Sequence, residues 1–211
     1  SEVKAYFFIL ITAFLLTYIT LRLNIENFDG ELIQESVFQV VSIATTTGFL
    51  TANYSNWPLF VPILLLFAAF IGACAGSTGG GIKVIRTLIL AKQSASEITK
   101  IIHPNAVTSV KVGKKAIDSR VAESIWGFFS IYVIVFIILF MFLLAQGNDF
   151  ITSFSAVGAT INNLGPGLGE VSTNYQSLSG LSKLALCLAM ILGRLEIFTL
   201  LVLFTPTFWK N

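Results

Sequence analysis

Charge is what this sequence has least of. Asp, Glu, Lys and Arg make up 11% of the 211 residues, against about a quarter in soluble domains. Hydrophobic residues reach 55%, and the mean hydropathy is +0.83. Such a chain lacks the polar surface to cover a water-soluble fold of its size. A soluble enzyme is therefore excluded, and a membrane protein that is not an enzyme is expected. One histidine, His103, and two cysteines, Cys74 and Cys187, give no zinc ligand set and no disulfide framework. Both cysteines sit in apolar runs and read as small buried hydrophobes. No methionine opens the chain at Ser1, and no small-residue cleavage pattern follows the first uncharged run, Ala5 to Leu21. That run is long enough to span, and the chain is expected to be a piece of a longer protein.

The charge that is present is clustered. Eight of the 13 basic residues (Lys83, Arg86, Lys92, Lys100, Lys111, Lys114, Lys115 and Arg120) fall in one central stretch, opposed there only by Glu97 and Asp118. By the positive-inside rule this stretch, with Lys4 and Lys210, faces the cytoplasm, and Glu26, Asp29, Glu31, Glu35 and Asp149 lie outside. Residues 1–100 then form one membrane unit, 101–118 a basic cytoplasmic linker, and 119–211 a second unit.

Between Glu35 and Lys83 no residue is charged. A straight helix over that distance would reach about 70 Å, against a hydrocarbon core of roughly 30 Å. The run must therefore turn, and its corners are Thr45 to Gly48 and the wet turn Asn53 to Pro58 with its interfacial Tyr54 and Trp57. A half-helix from Glu35 to Ala44 enters, turns and returns, and a full span starts at Trp57. The same order recurs with a span Ile125 to Asn148, a short segment Asp149 to Thr160, a turn Asn162 to Gly167, and a span from Ser177 to Phe208. The offset of 117 residues that carries Gly48 onto Gly165 also carries Gly76 onto Gly193 and Ser77 onto Arg194.

Irregular backbone at membrane depth survives only where protein or a water-filled cavity surrounds it. Thr45, Thr46, Thr47, Gly48 and Phe49 combine hydroxyls with a glycine that lets carbonyls turn toward an axis. Asn162, Asn163, Leu164 and Gly165 supply a second arc. Stacked carbonyls can replace the hydration shell of potassium without a charged ligand, and half-helix C-termini aimed at the same point favour a cation.

Gly76, Ser77, Thr78, Gly79, Gly80 and Gly81 fall within an expected span, where each glycine costs about 1 kcal/mol relative to alanine in a helix. The helix should break there and leave a movable segment, a gate beneath the arcs. A phosphate-binding loop is excluded, because Val84 follows Lys83 where that motif needs Ser or Thr and no strand precedes it. Arg194 lies inside a span at a cost of at least about 2.5 kcal/mol unless it faces a cavity. It should point inward as a barrier to cations and hydrogen-bond the glycine loop.

These motifs, Ser42 to Phe49, Gly76 to Lys83, Asn162 to Gly167 and Gly193-Arg194, occur in the order found in the Trk/Ktr/HKT potassium transporters, which the chain resembles most closely on the side of their bacterial uptake subunits. The resemblance implies an all-α membrane fold of repeated helix, re-entrant pore helix with filter loop, and helix units, like four linked potassium-channel units around one pore. This chain would supply the third and fourth units, and so half of the filter. It implies potassium as the transported ion, with the backbone carbonyls of Thr46, Thr47, Asn163 and Leu164 as ligands and no organic cofactor. Glycine at positions 48 and 165 fits the potassium-preferring type. The implied setting is multi-pass in the bacterial inner membrane, among lipid, as a homodimer on a cytoplasmic ring of nucleotide-binding regulatory subunits, with no nucleic acid. A carrier with alternating access coupled to a proton or sodium gradient is the alternative, and a sensor subunit without transport is the third reading.

Overall fold

The computed structural model describes residues 2–24, 31–104, 111–113, 115–195 and 209. Seven helices carry the fold among them: α1 Glu2–Asn24, α2 Glu31–Ala44, α3 Phe60–Ile71, α4 Val84–Ile102, α5 Ser119–Ala145, α6 Phe150–Ile161 and α7 Gly180–Arg194. Two short strands, β1 Lys111–Val112 and β2 Lys115–Ala116, pair antiparallel as a hairpin in the basic linker. The sequence pattern alone does not show that hairpin. Glu26, Asp29, Lys114, Lys210 and the end of the last expected span, 196–208, lie outside the described residues.

Length separates the helices into two kinds. At 23 and 27 residues, α1 and α5 reach about 35 and 40 Å and can cross a bilayer. At 14 and 12 residues, α2 and α6 reach only about 21 and 18 Å and stop partway. The first ends at Ala44, where it is expected to, and begins four residues before the expected Glu35. The second starts against Asp149, whose side chain accepts from the Ile151 and Thr152 amides and caps the free N–H groups of the first turn.

Each long helix packs on its own unit, α1 on α2 and α3 and α5 on α6 and α7, and α5 packs on α4 of the first unit as well. The units meet along α4 and α5 and along α3 and α6; Phe70 of α3 stands edge-on to Phe136 and Tyr132 of α5 and lies near Phe154 of α6. Leu21, Val40, Ile43, Val61 and Leu65 of the first unit share a core with Ala159, Leu164 and Leu168 of the second.

Three expectations change. The span from Trp57 is a helix only over 60–71; the break comes at Gly72, four residues before the glycine run, and lasts to Lys83. Tyr54 is not an interfacial residue: it is 2% exposed, in a short 3-10 turn, because its hydroxyl reaches the second unit and donates to the Gly167 carbonyl at 2.8 Å. The cysteines are not buried: Cys74 is half-exposed in the break after α3, and Cys187 lies on the open face of α7.

Candidate functional site

Both half-helices end in the same backbone manoeuvre. Thr45, Thr46 and Thr47 donate their amides to the carbonyls of Val41, Ile43 and Ser42 at 3.0, 3.0 and 2.8 Å. Asn162, Asn163 and Leu164 donate theirs to Gly158, Thr160 and Ala159 at 3.3, 3.0 and 2.8 Å. The offset of 117 carries the first set onto the second, bond for bond. Left-handed backbone follows at the same two steps, with φ of 57° and 81° at Thr46 and Gly48 and of 53° and 102° at Asn163 and Gly165. The arcs touch: a Cβ on Gly48 would stand 2.1 Å from the Leu164 carbonyl oxygen, so only glycine fits there. Phe49 turns away and forms an apolar hollow with Val37, Phe38 and Val41.

Side chains brace the arcs differently. In the first, Ser42 Oγ donates to the Phe49 carbonyl at 2.6 Å, Thr45 Oγ1 donates to Val41 at 2.7 Å, and the Thr45 and Thr47 hydroxyls pair at 2.8 Å. In the second, the Tyr132 hydroxyl donates to Asn162 Oδ1 at 2.8 Å, and Asn162 Nδ2 donates to the Gly158 carbonyl at 2.8 Å. Tyr175 donates to the Gly165 carbonyl at 2.7 Å. Tyr132 and Tyr175, like Tyr54, are invisible to motif reading, since nothing in their spacing announces the partner.

Beneath the arcs lies a cavity of about 410 Å³. The glycine segment 76–81 and Arg194 line it, as expected, and so do Lys83, Arg86, Tyr132, Asn163 and Gly193. Arg194 Nη1 donates to the Thr78 carbonyl at 3.0 Å. Lys83 Nζ donates to the carbonyls of Ser77, at 2.9 Å, and Gly79. Arg86 sits 4.4 Å over the Phe128 ring, a cation–π contact. Two of the eight basic residues of the stretch expected to face the cytoplasm, Lys83 and Arg86, therefore line the cavity. Charge counting hides this because it sees residue type and order but not the helix break that turns Lys83 back.

The repeat offset also fails at one place. Gly76 is in a loop with nothing within 4 Å of a notional Cβ, whereas Gly193 is helical and pressed on the foot of the second arc, 2.0 Å from Ile161 O by the same measure. The two glycines share an offset but not a role.

Comparison with known proteins gives one answer. A family model described as TrkH, cation transport protein, matches residues 6–211. The chain is 49% identical to the Trk system potassium uptake protein TrkH of Vibrio parahaemolyticus over all of its own length and 44% of that protein. It is 55% identical to TrkH of Escherichia coli over 85% of the chain and 37% of the relative. The crystal structure of the potassium transporter TrkH from Vibrio parahaemolyticus superposes with a TM-score of 0.92 at 48% identity, covering 99% of this chain and 45% of that one. The chain thus spans less than half the length of the relatives it matches, and those relatives are named as uptake proteins, not enzymes. A match that takes in nearly every residue, together with the shared helical architecture, means that this membrane protein belongs to the TrkH family of cation transport proteins.

Proposed function

We propose that the chain supplies the third and fourth of four pore units in a bacterial inner-membrane potassium uptake protein, and that Thr45 to Phe49 and Asn162 to Gly165 are half of its selectivity filter. The observation that supports this most is the duplicated left-handed backbone at 46, 48, 163 and 165, set side by side at the ends of two half-helices. Such a backbone can aim carbonyls of Thr46, Thr47, Asn163 and Leu164 at a dehydrating potassium ion, and the negative ends of α2 and α6 add attraction. Loop 72–83 is the gate below it. Arg194, held on Thr78, adds a positive charge to the cavity and so raises the barrier to a cation. Assembly as a homodimer on a cytoplasmic nucleotide-binding ring belongs to the same proposal, with the linker that follows α4 as the mechanical connection.

Radioactive rubidium uptake into vesicles holding the native-length protein tests this. Uptake that potassium suppresses and sodium does not is the expected result; a folded protein that carries no rubidium overturns it. The helix interrupted between α3 and α4 also suits a carrier with alternating access. Obligatory dependence of uptake on a proton or sodium gradient would assign the protein to that class.

A further inference from the structure

We propose that loop 72–83 is also the floor of the filter, and that the Gly80 amide and the Thr46 hydroxyl are positioning groups that set ion selectivity. This rests on the filter reading above and adds to it that gate and filter are one mechanical piece.

The argument begins with strain. Thr46 holds φ of 57° and Asn163 holds 53° at the same step of their arcs. Asparagine enters the left-handed region readily, but for a β-branched residue it is an outlier that persists only where surrounding structure enforces it. The enforcing contact at Thr46 comes from the loop: Gly80 N–H donates to Thr46 Oγ1 at 2.8 Å.

The same residue presses on the other arc. A Cβ on Gly80 would fall 1.7 Å from the Asn162 carbonyl oxygen, and one on Gly79 would fall 3.3 Å from that of Thr45. Gly193 of α7 sits against Ile161 O in the same manner. The carbonyls at the foot of both arcs are therefore backed by glycines, two of them in the loop. Gly80 bridges the arcs, hydrogen-bonded to one and in contact with the other.

The loop cannot leave without two consequences. Thr46 loses the contact that holds its backbone left-handed, and the Asn162 carbonyl is uncovered to the cavity. Opening the gate then loosens the filter, the first arc more than the second, because Asn163 needs no outside support. Selectivity and flux become linked through Gly80.

A double-mutant cycle in the native-length protein tests this, with the rubidium-to-sodium uptake ratio as readout. Thr46→Val should lower the ratio about fivefold, the effect of one hydrogen bond, and Thr46→Ser, which keeps the hydroxyl, should stay close to the parent. In a protein lacking residues 77–80, and so lacking the Gly80 donor, Thr46→Val should change the ratio no further. An equal drop in both backgrounds overturns the proposal, as does no drop in the parent. Should the valine variant fail to reach the membrane, Gly80→Ala takes its place: it leaves Thr46 intact, sets a methyl on the Asn162 carbonyl, and must lower the ratio in the same way. An unchanged ratio at normal flux overturns the proposal. Rubidium uptake by the parent judges the transport reading, and additivity of the two changes judges this one.

Discussion

The two units fold their loops alike and continue in opposite ways. At the position of Gly72, where α3 ends with φ of 72°, the second unit has Ala189, buried within an unbroken α7. One unit therefore gives up part of its inner helix to an irregular segment. The other keeps a rigid helix, and the charge at its end, Arg194, meets that segment on Thr78. The repeat thus keeps the two turns alike and diverges in the helices that follow them. It also shows that one backbone path can be held by unlike means: by the hydroxyls of Ser42, Thr45 and Thr47 and by the loop on one side, by tyrosines on the other.

Breaking the pairing between moving and rigid parts should have the largest effect. Arg194→Ala removes the rigid unit's hold on Thr78 and its charge from the cavity, and resting potassium flux is expected to rise at least about tenfold, since electrostatic terms are large in a poorly screened pore. Flux measured by rubidium uptake at matched protein content checks this.

A sharper contrast concerns Gly48 and Gly165, which occupy the same step with different surroundings. A side chain on Gly48 meets the Leu164 carbonyl oxygen, whereas nothing lies within 4 Å of one on Gly165. Gly48→Ser should therefore cut potassium-over-sodium permeability about tenfold or more through overpacking, and Gly165→Ser only about fivefold through the cost of its backbone conformation. Bi-ionic potentials would show the order, and equal losses would mean that the seam between the arcs is looser than the geometry implies.

Tyr132→Phe should have the smallest effect. It keeps the ring among Phe70 and Phe128 and deletes the one bond to Asn162 Oδ1. Leaving that buried acceptor without its donor costs about 1 to 2 kcal/mol, read as a lower thermal midpoint in detergent with a small change in selectivity.

Much of this architecture was legible in the sequence, because lipid makes strong demands on it. An uncharged run too long for one crossing and too short for three has to turn, and Thr45 to Gly48 and Asn162 to Gly167 carry the residues that turn. The short segment opening at Asp149 was legible as well, although that Asp149 caps α6 shows only in the fold. The cost of an arginine in a span and its offset from Ser77 both pointed to Arg194, which bonds the Thr78 carbonyl. What stayed hidden depends on distance across the fold. Tyr54 is 113 residues from its partner Gly167, and Tyr132 is 30 from Asn162. A tyrosine near an expected boundary reads as an interfacial residue until the partner is seen. The early break at Gly72 was hidden because its cause is the close approach of Gly80 and Gly81, which occupy the space a side chain there would need.

The hydroxyl of Tyr54 also sets an order of events during synthesis. The first half-helix and its turn can enter the membrane as soon as they are made, but the carbonyl that receives this proton belongs to a residue 113 positions later. At ribosomal rates of about 5 to 20 residues per second, the wait is on the order of ten seconds. For that interval the phenol, buried in the finished protein, must be satisfied by something else, such as water, a lipid headgroup or the insertion machinery. The first unit thus waits for the turn of the second before its buried phenol has its own partner.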